Sequence, residues 1–302
     1  MSNNNSKGEW INLKMISVIL ILCIGCRDNQ VTVSGLIPAG NWQIYYERQG
    51  KGDPILLLHA GLQDHTMWKD QVSALSGEHE VITIDLPFHG ATTGMDTVTL
   101  IGDIIKTVLD SLHIQKISIA GLSMGGSAVQ DFIIAYPQRV NKAILIASGI
   151  NGFERDHPID SLSSGWWEQF TTGLEQKDTA AAAVAFTKAW AEGIYRSADS
   201  LKAPVSQYVY KTTLQTLRQH KMKGWPLLQQ SPPAIDKLSS VKVPVLVIYG
   251  DKDLPYIVTS SQYLEKNIPG AKAVVIKDVA HMLNLEKPEE VNELISNFLR
   301  KE

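Results

Sequence analysis

Ile117-Ser118-Ile119-Ala120-Gly121-Leu122-Ser123-Met124-Gly125-Gly126-Ser127-Ala128-Val129-Gln130-Asp131-Phe132-Ile133-Ile134-Ala135-Tyr136 is the stretch on which the fold turns. Its first four residues form an apolar run of strand type, and Ser127 to Tyr136 has the composition of a helix. Between them lies Gly121-Leu122-Ser123-Met124-Gly125, a G-x-S-x-G pentapeptide with a further glycine at Gly126. A strand that passes straight into a helix makes a sharp turn, which strains the residue at its apex and pushes that side chain into the open. Glycines on either side let strand and helix approach without Cβ clashes. The helix N-terminus then lies under any negative charge that develops at the apex. Small residues around a serine are common, so an ordinary strand-to-helix turn is the competing reading. The flanking strand and helix favour a nucleophilic Ser123.

Outward from this turn, continuous apolar runs recur at Ile55–Leu58, Val81–Ile84, Ala143–Ile146, Val245–Ile248 and Ala273–Ile276. Such runs are the pattern of strands buried on both faces. Val31-Thr32-Val33 and Trp42 to Tyr46 read as two earlier strands around Pro38-Ala39-Gly40. Leu100, Ile101, Ile104, Ile105, Val108, Leu109 and Leu112 share one face of a helix, and Pro288 opens a last helix over Glu289 to Leu299. Strands alternating with helices predict an α/β fold built on a doubly wound, mostly parallel sheet. The alternation breaks over 151–233. This stretch carries Trp166, Trp167, Phe170, Phe186, Trp190, Tyr195, Tyr208, Tyr210 and Trp225, with an alanine run at Ala180 to Ala183. It reads as an inserted helical lid, with 27–150 and 234–302 forming the core. The lid is expected above the C-terminal edge of the sheet, where open α/β sheets bind ligands. Its aromatics divide between walling an apolar pocket and forming the lid's own core.

The chain has 302 residues, 44% hydrophobic and 20% charged, with a formal net charge of −3. That suits one large globular domain with an insertion, and it offers no basic field for nucleic acid. There is no repeat, heptad or phosphate-binding glycine loop. Residues 1–26 stand apart. Met15 to Gly25 is apolar and preceded by Lys7 and Lys14. It is shorter than the roughly 20 residues that span a bilayer, but it has the size of a signal-peptide core. Gly25-Cys26 followed by Arg27-Asp28-Asn29-Gln30 resembles the end of a bacterial lipoprotein signal, with Cys26 as the lipidated residue. Cys23 stands where such signals usually carry leucine. The expectation is export to a bacterial envelope, with membrane anchoring through the lipid or the uncleaved segment, and a periplasmic protein if neither holds. Both cysteines lie here. Disulfides, Cys-rich metal sites and a cysteine nucleophile are therefore not expected in the domain.

A serine hydroxyl needs a base to take its proton, and the base needs an acid to hold its tautomer and stabilise its charged form. The chain has 8 histidines. His281 follows the last strand and precedes the last helix, on the same sheet edge as Ser123. His59 and His89 end strands or loops near that edge and compete with it. His79, His113, His157 and His220 fall in helical or cap-like segments, where solvated or packing roles fit better. The acid comes from Tyr249-Gly250-Asp251-Lys252-Asp253-Leu254-Pro255. Asp253 is preferred, while Asp251 suits the capping of the turn. Asp85 also ends a strand but precedes the serine, and a structural role suits it. Oxyanion donors are expected from the backbone N–H of Met124 and from the loop His59-Ala60-Gly61-Leu62, with Gly61 preferred over Leu62. His59 is expected to brace that loop.

Strand-His59-Ala60-Gly61, Asp85-Leu86-Pro87-x-His89-Gly90, Gly121-x-Ser123-x-Gly125-Gly126, Gly250-x-x-Asp253 and Ala280-His281 occur in an order that resembles the α/β-hydrolase superfamily from about Gln43 to the C-terminus. The resemblance implies Ser123 as nucleophile, Asp253 as acid and His281 as base. Two positions depart from the family pattern: Ala60 replaces the glycine of a usual His-Gly, and Phe88 replaces the first glycine of a usual Asp-x-x-Gly-x-Gly. Neither removes a catalytic atom. The resemblance implies a serine hydrolase of a small or medium ester or lactone, needing no cofactor or metal. Carbon–carbon hydrolases and cofactor-free haloperoxidases share the same arrangement. A non-catalytic binding protein on this scaffold is the remaining alternative.

Overall fold

The computed structural model describes residues 31–95, 99–196, 203–220 and 231–300. The N-terminal segment with Cys23 and Cys26, and Trp225 of the insertion, lie outside the described residues. Among the described residues, nine strands share one sheet. They are β1 (Val33–Ala39), β2 (Trp42–Gln49), β3 (Asp53–Leu58), β4 (His79–Ile84), β5 (Thr93–Gly94), β6 (Ile117–Leu122), β7 (Val140–Ile146), β8 (Val245–Gly250) and β9 (Lys272–Ile276). Their order is β1-β2-β4-β3-β6-β7-β8-β9, with β5 paired on β2. Pairing is parallel from β4 through β9 and antiparallel for β1, β2 and β5.

The central strands are apolar throughout because each face meets a separate core. In β3, Leu56 and Leu58 join one core with Phe132 and Ile104, while Ile55 and Leu57 join the other with Trp68 and Ile295. All four are fully buried. The first core is covered by α2 (Ile101–Ser111), α3 (Met124–Ala135) and α8 (Pro255–Asn267); the second is covered by α1 (Lys69–Leu75), the short α9 (Leu283–Glu286) and α10 (Pro288–Arg300). In α2 the 3.6-residue spacing places Ile104, Ile105, Val108 and Leu109 in the first core. Pro288 stands at the head of α10, with Glu289 and Glu290 in its first turn, where acidic groups complement the helix dipole. Beyond β7 come α4 (Phe153–Asp156), then a helical insertion of α5 (Ser161–Glu175), α6 (Thr179–Thr187), a π-helical turn at Lys188–Glu192, and α7 (Ala203–His220). The alanine run lets α5 and α6 pack closely: a Cβ on Gly173 would lie 2.7 Å from the nitrogen of Ala182.

Three local expectations change. Val31 and Thr32 precede β1, whereas Pro38 and Ala39 are its last residues. The turn falls on Gly40 and Asn41, because Gly40 takes the left-handed backbone (φ 61°). The run Ala273–Ile276 forms β9, but β9 is an edge strand and only Ile276 is buried. His79 begins strand β4 rather than lying in a helix or cap.

The parallel register aligns the C-terminal ends of the strands. Leu58 pairs Gly121, Leu122 pairs Ile146, Ile146 pairs Ile248, and Gly250 pairs Ile276. The loops that follow β3, β6, β8 and β9 therefore leave one edge of the sheet together.

Candidate active site

At the turn from β6 to α3, Ser123 has φ 56° and ψ −113°, a backbone that side-chain-bearing residues rarely adopt. Packing enforces it. A Cβ on Gly121 would lie 2.2 Å from the carbonyl oxygen of Gly125, one on Gly125 would lie 2.2 Å from that of Leu58, and one on Gly126 would lie 2.3 Å from the Ser148 hydroxyl. The Ser123 N–H donates to Ile146 at 2.9 Å, so the apex is also fastened to β7. The side chain remains partly open to a cavity of about 470 Å³.

The loops after β8 and β9 meet through Gly250, whose missing side chain lets the backbone come close; a Cβ there would lie 2.3 Å from the oxygen of Val279. That contact brings together Asp253 and His281, both buried. Nδ1 of His281 lies 2.8 Å from Oδ2 of Asp253. An ionised carboxylate only accepts, so Nδ1 carries a proton, and in the neutral ring Nε2 is then the nitrogen with the lone pair. The other carboxylate oxygen, Oδ1, accepts the Leu254 N–H at 2.7 Å. Asp251 faces elsewhere: it accepts the N–H of Asp278 at 2.6 Å, with Lys252 at 3.6 Å and Lys277 at 3.8 Å.

Ser123, Met124, Gly61 and His281 all line the same cavity. Met124 is the first residue of α3, so its N–H lies ahead of the intrahelical ladder. Gly61 also has no acceptor for its N–H among the described residues. Leu62 does not share this freedom, because its N–H donates to Nε2 of His89 at 3.0 Å. The two competing histidines are braces. His59 accepts the Leu86 N–H at 2.9 Å and meets the Ala60 oxygen at 2.8 Å; His89 meets the Pro87 oxygen at 2.8 Å. Both need the neutral ring for these bonds. Burial lowers both pKa values, that of His89 to about 3.

Ala60 and Phe88, where the chain departs from the family pattern, are both accommodated. The Ala60 N–H meets the sulfur of Met67 at 3.3 Å. Phe88 takes the left-handed backbone that a glycine would adopt (φ 65°), and it packs edge-on against Trp42 at 4.8 Å. Asp85 has a structural role: it accepts the N–H groups of His65 (2.8 Å) and Ala91 (2.7 Å), and its Oδ1 also lies 2.8 Å from Nδ1 of His65.

The insertion roofs the cavity. Trp166, Trp167, Phe186 and Trp190 line it, and the Trp190 ring lies 4.3 Å from that of His281. The other aromatics divide: Phe170 is buried against Trp166 within the lid, Tyr208 ties the lid to Thr66 of the core at 2.8 Å, and Tyr195 is exposed. Two residues for which the sequence reading had no role hold the roof down. Arg196 follows the π-helical turn and pairs with Glu286, whose Oε1 also accepts the Ala280 N–H at 3.1 Å beside His281. They lie 90 residues apart, and no local pattern links them. Among the described residues no group of His, Cys, Asp and Glu is arranged to hold a metal, and no helix is long and apolar enough to cross a membrane.

Residues 53–288 match the family described as alpha/beta hydrolase fold. The chain is 27% identical over 251 residues to a carboxylesterase of Bacillus subtilis, covering 81% of this chain and 79% of that protein. It is 26% identical over 243 residues to 3-oxoadipate enol-lactonase 1 of Acinetobacter baylyi, covering 78% and 85%. The solved enol-lactonase of Burkholderia xenovorans superposes with a TM-score of 0.74 at 21% identity, covering 89% of this chain and 100% of that one.

Proposed function

We propose, for a chain that belongs to the alpha/beta hydrolase fold family, that it hydrolyses carboxylic esters or lactones through an acyl-enzyme on Ser123. The observation that carries this is the 2.8 Å contact of His281 with Asp253 at the cavity into which the strained Ser123 opens. Ser123 Oγ attacks the substrate carbonyl carbon while Nε2 of His281 takes its proton. Asp253 keeps the ring in the tautomer with Nδ1 protonated and stabilises the imidazolium that forms. The N–H groups of Gly61 and Met124 donate to the developing oxyanion, at the positive end of α3. The tetrahedral species collapses, and His281 returns the proton to the leaving oxygen. Water then repeats the sequence on the acyl-enzyme and frees the acid. The carboxylesterase and enol-lactonase relatives support this reaction class. Ser123→Ala is expected to lower the hydrolysis of 4-nitrophenyl butyrate by about 10⁴-fold or more and to abolish labelling by a fluorophosphonate. Undiminished turnover in that variant would overturn the mechanism.

A further inference from the structure

The charges around the cavity speak to which substrates can enter it. Its roof is a set of rings packed edge to face: Trp166 lies 5.4 Å from Trp167, 5.9 Å from Phe186 and 5.3 Å from Trp190, at interplanar angles of 89°, 85° and 76°. Rings so arranged offer further edge-to-face positions to a ring that enters. Among the described lining residues there is no lysine or arginine, and the one imidazole, that of His281, is engaged by Asp253. Immediately behind the wall the charges are negative. Asp160 accepts the hydroxyl of Ser163 at 2.6 Å, and the charge of Glu154 adds to burial in raising the pKa of the Tyr256 hydroxyl. Both Ser163 and Tyr256 line the cavity. Lys188, between Phe186 and Trp190 in the chain, is exposed and is not among the lining residues, and two nearby arginines are taken: Arg155 by Asp156 and Asp236 at 3.0 and 2.7 Å, and Arg196 by Glu286. A carboxylate carried into this space would lose its water and gain no cationic partner among the described lining residues, beside charges of its own sign.

Resting on the hydrolase reading above, we infer that the site is selective for uncharged esters with an apolar, ring-bearing acyl group, and that it rejects esters and lactones that retain a free carboxylate. The volume, about 470 Å³, admits such an acyl group together with a small alcohol.

Two esters of similar length separate the outcomes: methyl 4-phenylbutanoate and monomethyl adipate. Turnover is followed by proton release in the wild-type protein. Binding is followed by tryptophan fluorescence in Ser123→Ala, since Trp166, Trp167 and Trp190 form the wall. The expected kcat/KM favours methyl 4-phenylbutanoate by about 100-fold or more. In the variant, the same ester gives a saturable fluorescence change at concentrations where monomethyl adipate gives none. Equal or better hydrolysis or binding of monomethyl adipate overturns the inference, as does absence of binding by the phenyl ester. Selective binding of the phenyl ester with no turnover of either ester would uphold the selectivity and overturn the hydrolase reading instead.

Discussion

Asp251 and Asp253 follow the same strand two residues apart, yet only one faces the imidazole. Asp253 is buried with Oδ2 on His281, whereas Asp251 holds the backbone of Asp278 between two lysines. Removing the charge of Asp253 frees His281 to adopt the wrong tautomer, in which Nε2 carries the proton and cannot take another. Asp253→Asn is therefore expected to lower kcat by about 10³- to 10⁴-fold. Asp251→Asn still offers an oxygen to Asp278 and is expected to stay within a few-fold of wild type. Ester-hydrolysis rates of the two purified variants check this, and a larger loss in Asp251→Asn would reverse the assignment. Ser123 is legible in the sequence because its neighbours must be glycines for steric reasons that the order of residues displays. The choice between Gly61 and Leu62 is not, because it depends on His89 reaching across space to occupy the N–H of Leu62.

Among the secondary-structure elements, the sheet is readable and the attachment of the insertion is not. Central strands announce themselves because burial on two faces removes polar residues from both, as in β3 and β8. The edge strand β9 carries a similar apolar run with much less burial, so hydrophobicity alone does not locate an edge. The helices of the insertion show in their aromatics and alanines, but what fixes them is long-range: Gln63 to Thr213 at 3.0 Å, Tyr256 N–H to Ser163 at 3.1 Å, and Arg196 to Glu286. The last pair has side chains only 7% and 9% exposed, so removing one partner takes away the opposite charge that offsets the other's burial. Arg196→Met is expected to lower the free energy of urea unfolding by about 3 kcal/mol. Adding Glu286→Gln recovers part of that loss, because the buried carboxylate that had faced Arg196 is neutralised while an acceptor for Ala280 remains. A loss below about 1 kcal/mol in the single variant, the range of exposed pairs, would show that the pair is not a latch.

At the scale of the whole molecule, three histidines in and around the loop after β3 make stability vary with pH, and they act in opposite directions. His59 and His89 are buried and neutral, their pKa values lowered chiefly by burial. Below about pH 6.5 the unfolded chain binds protons that these two refuse in the folded state, so stability falls as pH falls. His65 behaves otherwise. Burial opposes its charge, but the hydrogen bond and charge of Asp85, with Glu47 and Asp64 nearby, outweigh it and raise its pKa. Its contribution is complete below about pH 6.5 and is lost as pH rises through the higher folded value. For Asp85 too, burial opposes the charge, and the bond to His65 and the surrounding imidazoles outweigh it and lower the pKa. Its contribution is lost only in acid below the ordinary carboxylate range. The melting temperature is thus expected to peak near neutrality, declining on the acid side through His59 and His89 and on the alkaline side through His65. His65→Gln should flatten the decline on the alkaline side of about pH 6.5 and leave the acid decline in place, as read by thermal unfolding across pH. An alkaline decline of wild-type steepness in that variant would remove His65 from the account and place the titrating group elsewhere.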